Sequence, residues 1–249
     1  MNLGDYSKDY SSFLNDLKRR QKRKKQERFF YVFISLVGLF AIFFTIVPLI
    51  IWNLSTAKKF SSKNEQFPVP DSEIIVNNPL LLGDIQVVKD PDGFTYFTTS
   101  YNPQSAGIAS KNRPKEFYLS IPKLKIQKAK VLVDTLSFQQ NLALFPSTAL
   151  PGEVGNSFIT GHSTLPILYD PKDYKAIFTK LPSLEVGDEV LVEIDGKTLN
   201  FVVQFSKIVE SKDTSVLAPI SKTSHNLTLM TCVPPGTSTK RLVVITSLI

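Results

Sequence analysis

Hydrophobic and polar positions divide the chain into stretches with different periods. Residues 29–52 are uninterrupted by charge, twenty-four positions without Asp, Glu, Lys or Arg. A helix of that length reaches about 36 Å at 1.5 Å per residue, against roughly 30 Å for a bilayer's hydrocarbon core, so this segment is expected to cross a membrane. Residues 53–113 are polar and broken by Pro68, Pro70, Pro79, Pro91 and Pro103. No helical period is sustained there, which predicts an extended stalk with one short hairpin around Asp90-Pro91-Asp92-Gly93. From Phe117 onward, short runs rich in β-branched and aromatic residues recur at 117–121, 129–133, 157–160, 189–194, 199–209, 227–232 and 241–247, separated by turn residues such as Asp195-Gly196. Helical or irregular patterning is confined to the neighbourhoods of 137–142 and 172–180. Residues 114–249 are therefore expected to form an all-β domain, a small closed barrel or sandwich with short helices.

Charge sharpens the membrane reading. A net charge of +7 would suit nucleic acid if it were spread over the folded part, but residues 1–28 hold nine Lys or Arg against four acidic residues, and residues 53–249 are left at +2. Basic residues beside a span mark its cytoplasmic side, so 1–28 is expected to be a cytoplasmic tail and the rest an extracellular region anchored in the cell membrane by a single pass. No nucleic-acid partner is expected. A cleavable signal peptide is the competing reading, because Ser55-Thr56-Ala57 offers small residues. The apolar region of such a peptide runs about 7–15 residues, well short of this one.

The single cysteine, Cys232, excludes a disulfide framework within the chain and a cysteine-based zinc cluster, and only His162 and His225 could add nitrogen ligands. No cofactor is expected. Asp170, Asp173, Glu185 and Asp188 are the oxygen donors a calcium ion would need, but scattered acids are usually solvated.

Cys232 closes the run 227–232 and is followed by Pro234-Pro235-Gly236, which cannot continue a central strand. Its thiol is thus expected at a strand end beside a loop. Free cysteines are most often small buried hydrophobes. To act as a nucleophile this one needs a base or a cation nearby, since a thiol of reference pKa about 8.5 is mostly protonated at neutral pH. His225 precedes it by seven residues. That odd offset sends the two side chains to opposite faces of a strand, about 23 Å apart, and His225 is expected to be a solvated loop residue. His162 follows Phe158-Ile159-Thr160-Gly161 at another strand end and is the better partner. Arg241 opens the last strand, where a fixed guanidinium could hold a developing oxyanion.

Thr228-Leu229-Met230-Thr231-Cys232 resembles the TLxTC nucleophile motif of sortases. Thr160-Gly161-His162 resembles their general-acid histidine motif, and Arg241 their arginine on the strand after the cysteine. The resemblance covers about residues 117–248 and extends to Tyr118-Leu119-Ser120-Ile121-Pro122-Lys123-Leu124, Pro151-Gly152-Glu153-Val154-Gly155-Asn156 and Asp213-Thr214-Ser215-Val216-Leu217. It implies a closed eight-stranded sortase-like β-barrel with the site at one end. It also implies Cys232 as nucleophile, His162 as acid and base, Arg241 on substrate and oxyanion, and Thr231 and Thr160 beside them, with the backbone N–H after Cys232 assisting. The implied partners are LPxTG-like sorting signals of surface proteins and an amine acceptor, either a peptidoglycan precursor or a pilin lysine.

The subclass stays undecided. Pilus sortases usually carry a second membrane helix after the barrel, where this sequence ends at Ile249, and an Arg after the histidine, where it has Ser163. The short segment from Cys232 to Arg241 nevertheless resembles the pilus and related classes more than class A, and Asp90-Pro91-Asp92-Gly93-Phe94 is faintly similar to the pilus lid or else an ordinary Asp-Gly turn. A reading from another class is a non-catalytic exported β-domain that binds a cell-wall component, with Cys232 in its core. L,D-transpeptidases resemble an SHGC-type motif that this chain lacks, and papain-like peptidases place cysteine before histidine, the reverse of the order here.

Overall fold

The computed structural model describes residues 3–51, 54, 85–89, 95–99, 113–146 and 148–249. The chain divides into two compact units, Met1–Leu54 and Ser55–Ile249. In the first, one helix, α1, runs Leu3–Ile51. Between Gly4 and Gly38 the sequence holds neither Gly nor Pro, so nothing interrupts the helical bonds where the basic tail meets the apolar stretch. Tail and apolar stretch form one continuous helix, and its segment Lys22–Phe44 is long and apolar enough to cross a membrane, with a mean hydropathy of 1.8.

In the second unit the expected hairpin is present: β1 (Ile85–Lys89) pairs antiparallel with β2 (Thr95–Thr99). The turn at 90–94, with the lid considered there, and most of the expected stalk lie outside the described residues.

Eight strands then close a barrel: β3 (Glu116–Ile121), β4 (Ile126–Leu132), β5 (Leu142–Leu144), β6 (Gly155–Thr160), β7 (Glu189–Ile194), β8 (Lys197–Glu210), β9 (His225–Val233) and β10 (Lys240–Leu248). The order around the barrel is β10-β8-β7-β3-β4-β5-β6-β9, and β9 pairs with β10 to complete the ring. β4 with β5 and β6 with β9 are parallel. The Asp195-Gly196 signal becomes the β7–β8 turn, with φ of 49° and 74°, the left-handed pair that a type I′ hairpin requires.

Alternation along β9 and β10 explains the core. Leu227, Leu229, Thr231, Val233, Leu242, Val244 and Thr246 share one face, and each is at most 1% exposed. The other face is covered too: Phe158, Met230, Val243 and Ile245 join Phe145, Val209, Val216 and Leu217 in an apolar cluster. Val216 and Leu217 come from a 3-10 turn, Thr214–Leu217, capped by the Asp213 carboxylate, which accepts the Ser215 N–H at 3.0 Å. Asn156 of β6 holds that turn down, donating to Val216 O at 3.1 Å and accepting from Thr228 Oγ1 at 2.8 Å. With both faces covered, the backbone of β9 and β10 is a rigid base for whatever stands at its end.

One expectation is corrected. Leu142, placed at the end of an irregular stretch, opens β5, a strand not foreseen; Leu142, Ala143 and Leu144 are all buried, so no polar alternation marks it. Residues 172–180, expected to be helical or irregular, form successive turns. The Asp170 and Asp173 carboxylates accept the N–H groups of Lys172 and Lys175, both at 2.9 Å, and these local bonds compete with helical ones.

Candidate active site

Cys232 is the penultimate residue of β9 and lies directly opposite Arg241, the second residue of β10. Opposed residues of antiparallel strands present their side chains on one face. Met230 O accepts from Gly161 N–H at 3.2 Å and Cys232 O from Ser163 Oγ at 2.7 Å, so the carbonyls at these positions point to the β6 side. Cys232 and Arg241 therefore form the closer, non-hydrogen-bonded kind of pair, with Cα atoms about 4.5 Å apart. The same alternation aims the Val233 N–H at β10, opposite Lys240, and not into the site. This corrects the expectation that the N–H after the cysteine assists.

Arg241 is 1% exposed, and its Nη1 donates to Ser238 O and Lys240 O, both at 3.0 Å. Ser238 belongs to the β9–β10 loop, which Thr239 Oγ1 closes by donating to Val233 O at 3.0 Å. The guanidinium is thus aimed by the loop that separates it from the cysteine. Gly236 in that loop has φ of 81°, and a Cβ there would stand 2.9 Å from Leu165 Cδ2. The loop after the cysteine therefore packs on the loop after the histidine.

Thr160 ends β6 opposite Met230 and lines a narrow cleft with Phe138, Phe145 and Met230. Gly161 follows, where a Cβ would lie 2.5 Å from Phe178 Cδ2 and 2.6 Å from Leu142 Cδ2, so a close approach and not a special φ demands glycine. Thr231, on the face of β9 away from Cys232, donates its Oγ1 to Gly161 O at 2.9 Å. His162 is 6% exposed, its carbonyl accepts the Phe178 N–H at 3.0 Å, and its ring lies on that of Phe138 with centroids 4.2 Å apart. The fold therefore gathers His162, Cys232, Arg241, Thr160 and Thr231 at one end of β6, β9 and β10.

The family profile of the sortase domain matches residues 119–249. This chain belongs to the sortase family. Solved structures with similar folds include sortase A of Corynebacterium diphtheriae in a lid-mutant form, with 28% identity, 59% of this chain and 74% of that chain covered, and a TM-score of 0.47. Sortase C-1 of Streptococcus pneumoniae shows 25% identity, covers 61% and 80%, and has a TM-score of 0.48. A Clostridium perfringens sortase D5 transpeptidase shows 21% identity, covers 60% and 90%, and has a TM-score of 0.47. No curated protein matches the chain.

His225 stands at the far end of β9 of this sortase, half-buried within the strand and not in a solvated loop. Its Nδ1 lies 3.0 Å from Gly152 O, a bond that spans the strand pair and explains the correction. Sequence reasoning passed over Phe138 and treated Ser163 only as a departure from a family pattern. Phe138 carries a signal in retrospect, a buried aromatic between exposed Ser137 and Gln139. Among the described residues no group of three or more His, Cys, Asp or Glu side chains could hold a metal. Glu185 and Asp188 pair instead with Lys123, at 3.1 and 2.8 Å. The Lys123 ammonium is held above its usual pKa, chiefly by its hydrogen bond to Asp188.

Gly161→Ala is expected to destabilise the fold by about 1–3 kcal/mol, the range for overpacking a filled site, because Phe178 and Leu142 are both fully buried. At roughly 2–4 °C per kcal/mol, thermal melting reads this directly, and an unchanged Tm would show that the two side chains yield freely.

Proposed function

We propose that this sortase is a membrane-anchored cysteine transpeptidase that cleaves an LPxTG-like sorting signal of surface proteins and transfers the protein to an amine of a cell-wall precursor or of a pilin lysine. The observation that carries the reading is the register of β9 on β10, which puts a guanidinium opposite the chain's only thiol, while the histidine loop is bonded to the same strand. Cys232 Sγ, its proton passed to His162, attacks the carbonyl carbon of the signal's Thr-Gly bond, and Arg241 donates to the oxyanion. His162 gives a proton to the departing amine as the C–N bond breaks, leaving a thioester on Cys232. The acceptor amine then attacks that thioester, His162 takes its proton, and Sγ departs. With the basic tail in the cytoplasm, α1 would present the barrel outside the membrane, where exported substrates and the cell wall are found.

The direct test is mass spectrometry of the full chain in detergent, mixed with a panel of LPxTG-like peptides. A thioacyl adduct on Cys232 is expected, and its absence with every peptide would count against the assignment.

Arg241→Lys keeps the charge but replaces a planar five-donor fork by a flexible ammonium. Because the Arg241 fork is aimed by loop carbonyls, the variant is expected to lose roughly 10² to 10³ in turnover, the scale of one oxyanion donor. The pH dependence of Cys232 alkylation should be unchanged. If a raised thiol pKa accounts for the whole loss, the arginine acts only by charge and the hydrogen-bonding role is refuted.

A further inference from the structure

We infer that Ser163 is a positioning residue of this site: its hydroxyl, by binding the carbonyl of Cys232, fixes where the His162 ring stands relative to the thiol. The inference rests on the function proposed above. β6 runs parallel to β9, and beyond the paired residues Gly161 N–H donates to Met230 O, at 3.2 Å. In a continuing parallel ladder the next donor from the β6 side, the N–H of residue 163, would meet the carbonyl of Cys232, two positions on along each strand. The strand has already ended at Thr160, and the carbonyl is met instead by the Ser163 side chain, Oγ to O at 2.7 Å.

That substitution lets the chain turn out of the sheet at His162 while remaining tied to the cysteine strand on both sides of it. Before the histidine, Gly161 is held by Met230 and Thr231; after it, Ser163 is held by Cys232 itself. The His162 carbonyl accepts the Phe178 N–H and the Thr164 N–H binds Thr179 Oγ1, which ties the same loop to the β6–β7 connection. The Ser163 hydroxyl ties it directly to the backbone of Cys232. The serine is 1% exposed, so solvent has little access to replace the lost donor. Proton transfer between reacting groups is steeply sensitive to placement, and a displacement of about 1 Å can cost on the order of 10² in rate. Ser163 touches neither thiol nor substrate in this account and acts through the backbone of Cys232 and His162.

The test compares wild type, Ser163→Ala and Ser163→Thr as full chains in detergent, reading thioacyl formation, kcat, KM and Tm. Ser163→Ala is expected to lower kcat about ten- to a hundredfold with KM within about threefold, and Ser163→Thr, which keeps the hydroxyl, to stay within about threefold of wild type. A Ser163→Ala kcat within about threefold of wild type, or a loss shared equally by folded Ser163→Thr, overturns the role. Should Ser163→Ala not fold at the assay temperature, Ser163→Thr decides: near-normal turnover supports the hydroxyl's role, and a tenfold or larger loss at unchanged Tm, on the order that misplacement alone produces, refutes it. A wild-type chain that forms no adduct with any peptide brings down the functional reading itself, whereas equal adduct formation in wild type and Ser163→Ala brings down only the serine.

Discussion

Replacing Cys232 by alanine is expected to abolish peptide cleavage and transfer while leaving the barrel folded. The chain has no second thiol to take over, and a general base without its nucleophile cannot form the thioester. Stability should change little. Cys232 is the penultimate residue of its strand, and the substitution removes one atom where a deeper truncation would empty a whole side chain. A cost of about 1 kcal/mol is typical of point substitutions and corresponds to roughly 2–4 °C in Tm for a chain of this size. Product analysis by chromatography together with a melting curve checks both halves. Cleavage within tenfold of wild type, a residual activity far larger than loss of a nucleophile allows, would remove Cys232 from that role. A large fall in Tm, with no activity in the wild type to lose, would favour the non-catalytic wall-binding reading, in which the cysteine is a core residue.

Much of the barrel was legible because its strands alternate or end in strong turn signals. Residues 189–194 coincide with β7, and the Asp195-Gly196 pair adopts the two positive φ values that its chemistry favours. β5 escaped because three consecutive buried residues carry no period, and its position is set by partners 11 and 17 residues away, Val131 in β4 opposite Leu142 and Thr160 in β6 opposite Ala143. The beginning of β9 was placed two residues late. His225 and Asn226 look like loop residues in isolation, yet both pair with β6, opposite Gly155 and Asn156.

The site divides in the same way. Residue type and strand-end position singled out Cys232, His162 and Arg241, because a thiol before Pro-Pro-Gly, a histidine after Thr-Gly and an arginine opening a strand are local features. What binds them to one another is not local. The direct opposition of Cys232 and Arg241 follows from the β9–β10 register, and the Ser163 bond joins residues 69 positions apart. Phe138 on the His162 ring likewise depends on a loop whose path no run of its own residues foretells.

The two histidines provide a paired test in which activity and stability should separate. His162→Ala is expected to lower turnover by about 10² to 10⁴, the range for a lost general acid or base. Its ring is buried on that of Phe138, and losing that contact should cost the fold about 0.5–1.5 kcal/mol. His225→Ala should do the reverse. It removes a half-buried hydrogen bond to Gly152 O, worth on the order of 1 kcal/mol, and lowers Tm by a few degrees. Turnover should stay within about threefold, because seven residues of extended strand, about 23 Å, separate it from the thiol and the odd offset turns it to the other face. Steady-state kinetics and melting curves on both variants read all four quantities. Equal losses of turnover would mean that the proton leaves and returns by a route that does not pass through the His162 ring. An unchanged rate in His162→Ala would mean that the bonds tying its loop to β9 serve the fold alone.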